Sequence, residues 1–115
     1  MAIVVNPAPA NPPFKLKANQ TWKHIFQSGD GSSTYTVPTG KKCYVYCLMI
    51  SSATSGTAEA RFSKGSTNIT WLYCDAWEIK AVYLFPAIEF NAGETITLTN
   101  NSSAVSSALF WEEDA

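Results

Sequence analysis

A single histidine, His24, is the sequence's whole supply of the side chain best suited to moving protons at neutral pH. A nucleophilic serine or cysteine needs a base and an orienting acid. Here that set would have to join His24 to Asp30 or Asp75, and no nucleophile-elbow spacing surrounds any serine. A P-loop, a dinucleotide glycine fingerprint and an HExxH pair are missing as well. The stretch GDGSS (29–33) has turn glycines but lacks the acidic ligands of a calcium loop. These absences predict a chain that is not an enzyme and uses no cofactor and no metal.

Charge is scarce too, at 15% of residues against the usual quarter of a globular protein. Eight Lys and Arg against nine Asp and Glu leave a net charge of −1. The basic residues gather no further than Lys15, Lys17, Lys23 and the pair Lys41–Lys42, so nothing favours a phosphate backbone and no nucleic-acid partner is expected. Long apolar runs are missing. The longest, CYVYCLMI (43–50), is far short of a membrane span. Ile3–Val5 is too short for a signal-peptide core and runs into proline. No membrane association and no export signal are expected, and synthesis is placed in a reducing cytoplasm. The three cysteines, Cys43, Cys47 and Cys74, are an odd number without CxxC spacing. Cys43 and Cys47, four apart on one strand, stand about 13 Å from each other at strand rise, too far to bridge. Buried free thiols are the expectation.

What the sequence does contain is aromatic, hydroxylic and short-ranged. It has four Trp, five Tyr and six Phe, enough for a core of roughly common domain size. Residues 1–20 form an extended arm rich in Pro, Asn and Ala, in which PAPANPP disfavours any ladder and favours polyproline II. Residues 21–115 form the domain. There TWKHIFQ, TYTV, KCYVYCLMISS, TAEARFSKG, NITWLYCD, KAVYLFP, AIEF, ETITLTN and SALFWEE alternate with turn residues. Eight or nine strands without helical periodicity predict an all-β, antiparallel sandwich of jelly-roll type, with room for one helical turn near residues 75–79.

The strand at 42–52 bears on partners. Cys43, Val45, Cys47 and Met49 share one parity, and Tyr44, Tyr46, Leu48 and Ile50 the other. A strand with one wet face alternates apolar and polar residues, so two apolar parities predict burial of both faces. TWLYC and AVYLF repeat the pattern. Surplus apolar faces in a small sandwich predict a homo-oligomer. Trp71, Tyr73, Trp77 and Trp111 are accordingly candidates for interface packing or for a sugar-stacking platform, since Trp and Tyr serve both. Asp75 and Glu78 flank Trp77, as acids do in sugar clefts, and Glu89 and Glu94 complete the carboxylates from which a glycoside-cleaving pair would have to be drawn. The simpler reading of Asp75 and Glu78 is a polar turn between strands. The acidic end after Trp111 reads as a solvated terminus.

Two stretches echo one another, TVPTGKKCYVYCLMISSA and EFNAGETITLTNNSSA, each a strand, a glycine turn, a charged residue, a long strand and a Ser-rich loop. The phrases YTVPTGKKCYVYCLMIS and FNAGETITLTN resemble those of small β-sandwich and jelly-roll proteins of tailed bacteriophage virions. That group includes capsid cement (decoration) proteins and tail-fibre or tailspike modules. The resemblance covers two short pieces of the chain and transfers no binding motif. It implies a virion structural protein, commonly a trimer.

The arm completes the expectation. Ile3, Val4, Val5, Phe14 and Leu16 are apolar anchors that a purely solvated tail would not need. Twenty extended residues reach roughly 60 Å, enough to cross onto a neighbouring subunit, where Ile3–Val5 can add a strand to a free sheet edge. The sequence thus predicts a capsid cement protein that binds a phage head, through the major capsid protein or another virion protein, by oligomer and arm contacts. Its alternative is a carbohydrate- or receptor-binding module of a phage tail.

Overall fold

A computed structural model describes residues 17–115, and the chain there forms eight strands. They are β1 (Thr21–Ser28), β2 (Gly31–Thr36), β3 (Lys41–Ser52), β4 (Ala58–Lys64), β5 (Thr67–Cys74), β6 (Ile79–Phe90), β7 (Thr95–Asn100) and β8 (Ala104–Asp114). One sheet has the order β1-β8-β3-β6 and the other β2-β7-β4-β5, with all pairs antiparallel. Only β4 and β5 are neighbours both in sequence and in a sheet; every other connection carries the chain from one sheet to the other. This is the jelly-roll winding that the sequence pattern predicts.

The two echoing stretches meet in space. Pro38–Gly40 and Asn91–Gly93 are turns at the same end of the sandwich, and Gly40 and Gly93 take the left-handed φ of 82° and 87° that a Cβ would disfavour. Val37 N donates to the Glu94 carbonyl and Gly93 N to the Val37 carbonyl, each at 2.9 Å. Each turn thereby hydrogen-bonds the other, and each launches an adjoining strand, β3 or β7.

Alternation places one apolar set between the sheets. Phe62, Ile96 and Leu98 from the second sheet face Cys43, Val45, Leu48, Phe90, Ala108 and Phe110 from the first, all fully buried. Phe62 meets Phe90 across the gap with ring centroids 5.9 Å apart. The three cysteines are free thiols buried in the structure. Burial pushes Cys43 up to about 12, helped by the nearby Glu112 carboxylate. One core-edge polar residue is fully used: Asn100 donates to the Gln27 and Ala104 carbonyls at 2.8 and 3.1 Å and accepts from Ser106 at 2.6 Å.

Three expectations change on contact with the structure. First, β3 is not a regular two-faced strand. A bulge between Val45 and Cys47 interrupts its register with both neighbours, so the inward parity switches from Cys43 and Val45 to Leu48 and Ile50. Much of the apparent double apolarity is one inward set folded over a bulge. Second, KAVYLFP and AIEF are a single strand, β6. Pro86 is tolerated because β6 is an edge strand and its pairing skips from Tyr83 to Ile88 there. Third, the acidic end is no loose tail. β8 runs to Asp114, Glu112 accepts from the Tyr35 hydroxyl, and Lys41 pairs with Asp114 at 2.7 Å. Residues 75–79 contain a turn and no helix.

A candidate interaction surface

The outer faces of the two sheets differ in chemistry. On the second sheet, β2 and β7 present a ladder of hydroxyls. Ser32 meets Thr99 at 2.9 Å, Thr36 meets Thr95 at 3.1 Å, and Thr34 lies opposite Thr97. On the first sheet the outward register is aromatic and aliphatic. Trp22, Trp111 and Tyr44 lie opposite one another across β1, β8 and β3. Further along stand Phe26 and Met49, which are exposed, and Leu109. Part of the expectation for β3 therefore survives: Tyr44, Tyr46 and Met49 do make its outer side apolar.

The apolar surface is densest at the β5/β6 edge. Among the described residues, eight of the eleven exposed large hydrophobic side chains fall between residues 69 and 85: Ile69, Trp71, Tyr73, Trp77, Ile79, Val82, Tyr83 and Phe85. Phe85 is 95% exposed and precedes a cis bond to Pro86 in the β6 irregularity. Val82 is the most telling. It pairs with fully buried Leu48, which puts it on the inner face, yet it remains 42% exposed. The edge of β5 does not cover the edge of β6, so the sandwich stays open there. Among the described residues both strands also keep one side without a strand partner. An open, apolar sheet edge is a surface that needs covering.

The predicted aromatics divide between these regions. Trp71 and Tyr73 project from the outer side of β5, 60% and 50% exposed. Arg61 lies 5.7 Å from the Trp71 ring centre and Lys80 6.0 Å from that of Tyr73. Trp77 is 70% exposed on the β5–β6 turn with a φ of 62°, a left-handed conformation that a bulky residue adopts under strain. Trp111 is not with them. It belongs to the outer face of the first sheet, stacked against Tyr44 and Tyr46. Sequence reasoning missed Ile79, Val82, Tyr83 and Phe85, although the double apolarity of AVYLF was the available signal. Ile3, Val4, Val5, Phe14 and Leu16 lie outside the described residues.

A shallow depression adjoins β5, lined by Asp30, Glu59, Arg61, Trp71, Thr99, Asn100 and Asn101, and continues past Leu72 and Tyr73. The carboxylates singled out from the sequence are engaged locally. Glu78 accepts from Asp75 N at 2.7 Å and Asp75 from the Tyr73 hydroxyl at 3.1 Å, so both brace their own turn. Glu89 pairs with Lys42 at 3.1 Å. Glu94 accepts from Asn91 N, which lowers its affinity for a proton, with Lys64 3.5 Å away. His24 lies exposed on β1, opposite Leu109. Among the described residues no three of His, Cys, Asp and Glu gather as metal ligands, and no helix is long and apolar enough to cross a membrane.

No protein-family model matches the chain, and no curated protein matches it. Among solved structures, similarity is found to the cryo-EM structure of the giant freshwater prawn Macrobrachium rosenbergii extra small virus (XSV) VLP. The identity is 16%, the match covers 100% of this chain and 95% of that one, and the TM-score is 0.43, a likeness too distant to carry function across.

Proposed function

We propose that this chain is a non-catalytic structural component of a virus particle, working as a cement or decoration protein on the head of a tailed phage. The observation that carries the reading is the open β5/β6 edge, where eight exposed large hydrophobic side chains concentrate. Burial of such a surface between subunits stabilises an assembly by about 25 cal/mol per Å² of apolar area, less the cost of association. The virion setting rests on the resemblance of the two glycine-turn phrases to phage jelly-roll proteins. In this reading Tyr83, Phe85 and their neighbours hold copies together, as a trimer in the form the resemblance implies. Ile3, Val4 and Val5 then engage the major capsid protein. Stabilisation follows from mass action, because the protein binds the assembled shell in preference to free subunits. The test is co-sedimentation of the full chain with phage heads. Wild type is expected to bind and to raise the temperature at which heads rupture, and Ile3→Ser/Val5→Ser is expected to bind at least ten-fold more weakly. Unchanged binding by that variant would remove the arm from the account.

A second reading, a glycan- or receptor-binding module of a phage tail, is favoured by one observation: the exposed Trp71 ring borders a depression that also holds Glu59 and Arg61. A ring face flanked by hydrogen-bonding groups suits a sugar. Glycan-array binding lost in Trp71→Ala and kept in Trp111→Ala would select this reading over the first.

A further inference from the structure

The outer face of the first sheet carries a cluster of rings separate from the core. Trp111 stacks on Tyr44 and Tyr46 with centroids 5.2 and 5.9 Å apart. Trp22 meets Tyr46 and Trp111 edge-on at 5.2 and 6.4 Å. Four rings from three adjacent strands thus form a ridged platform, with Trp22 44% exposed at its margin. Ridged Trp and Tyr surfaces take proline-rich chain, whose rings lie against aromatic faces and whose stiff polyproline II backbone loses little entropy on docking.

Chain of that composition lies immediately upstream. Residues 7–16 read PAPANPPFKL and include a PxxP spacing, Pro9 to Pro12. The turn at 17–20 fixes where that stretch ends. Gln20 N donates to the Lys17 carbonyl at 3.0 Å, and Lys17 N donates to the Gln20 side chain at 2.7 Å. Gln20 Nε2 donates to Glu113 at 2.6 Å, and the same carboxylate oxygen accepts the Trp111 indole N–H at 2.9 Å. The turn is therefore tied to the platform itself, so the described chain begins beside these rings. Among the described residues β1 is an edge strand, so its open edge and the outer face both adjoin this turn. Pro7, Pro9, Pro12 and Pro13 have no N–H to give a ladder with β1, which favours the aromatic face over that edge. Four strands span about 14 Å and ten residues of polyproline II about 31 Å, so the length suffices.

We propose that this aromatic platform is an intramolecular docking site for the chain's own proline-rich stretch, residues 7–16, with Pro12, Pro13 and Phe14 seated among the rings of Trp22, Tyr46 and Trp111. The proposal goes beyond the particle-binding reading and does not rest on it. It fixes the root of the arm and leaves Ile3–Val5 to reach another surface.

The test is nuclear magnetic resonance on the full-length chain, using the indole N–H signals of its four tryptophans. In Phe14→Ala and in Pro12→Ala/Pro13→Ala, the Trp22 and Trp111 signals are expected to move while those of Trp71 and Trp77 stay. Wild type is expected to show Overhauser contacts from proline and Phe14 ring protons to the Trp22 and Trp111 rings. Mixing labelled and unlabelled chains separates the two possible sources of these contacts. Contacts within one chain support the proposal, and contacts only between chains overturn its intramolecular form. Unmoved Trp22 and Trp111 signals in both variants overturn the site altogether.

Discussion

Removing the Asn100 side chain tests the link between the two halves of the fold. Asn100 ends β7, is 5% exposed, and makes three hydrogen bonds: to Gln27 of β1, to Ala104 at the start of β8 and from Ser106. It therefore fastens the last strand of the second sheet to two strands of the first. In Asn100→Ala these three bonds are lost, each contributing about 1 kcal/mol net. The Ser106 hydroxyl, 1% exposed, loses an acceptor in a place with little water. The expected loss is about 3–4 kcal/mol, a large share of the roughly 5–15 kcal/mol available to a domain of this size. Urea unfolding measures it. With an m-value of about 1.5 kcal/mol per M, the midpoint should fall by about 2 M with the slope unchanged. Asn100→Asp should lose at least as much at neutral pH, because a carboxylate oxygen would then face two carbonyl oxygens. Ser106→Ala alone should lose about 1 kcal/mol, and the double variant less than the sum of the singles, since both act through one bond. A loss below about 1 kcal/mol in Asn100→Ala would refute this accounting of the buried polar group.

Further perturbations follow from particular side chains. Trp77 has φ 62° and a mostly exposed ring, so Trp77→Gly should leave thermal stability unchanged or raise it by about 0.5–1 kcal/mol, while weakening association. A clear fall in melting temperature would mean that the ring contributes to folding. Phe62, fully buried against Phe90, should cost about 3–5 kcal/mol when cut to Ala, readable in the same urea series. Alkaline stability has a sign set by Cys43. Its folded-state value is raised from 9.0 to about 12, so the native state keeps a proton that the unfolded chain gives up. Its contribution is complete below pH 9 and is lost as pH rises from 9 towards 12, at about 1.4 kcal/mol per pH unit. Tyr35, raised by burial and by its bond to Glu112, acts in the same direction. Cys43→Ala should flatten the stability–pH slope in that window, and an unchanged slope would contradict the assignment.

The winding of the sandwich was legible in the sequence because it rests on local signals. Gly40 and Gly93 punctuate the chain where left-handed turns are required, and TITLTN alternates with its inward side chains at Ile96 and Leu98. What was not legible depends on non-local register. Nothing near Tyr46 marks the bulge, since no glycine or proline stands there, and the parity switch it causes made one buried set look like two. Trp71 and Trp111 are equally plausible aromatic partners in one dimension, but strand order sends β5 and β8 to different sheets. Pro86 read as a strand end because its tolerance depends on β6 being an edge, which only the topology decides. The β5/β6 surface was half visible. The apolar parities of AVYLF announced surplus hydrophobicity, whereas the uncovered inner face at Val82 depends on how far β5 reaches.

The central claim is that the open β5/β6 edge exists to be covered by protein. Sedimentation velocity on the full chain, across micromolar to hundred-micromolar concentrations, measures this most directly, with Tyr83→Glu/Phe85→Glu as the paired sample. Both side chains are largely exposed, so the substitutions should leave the urea midpoint unchanged. The account expects wild type to sediment as a discrete oligomer and the variant as a monomer of 12.5 kDa. A wild-type chain that stays monomeric throughout, or a variant that assembles as well as wild type, would contradict it.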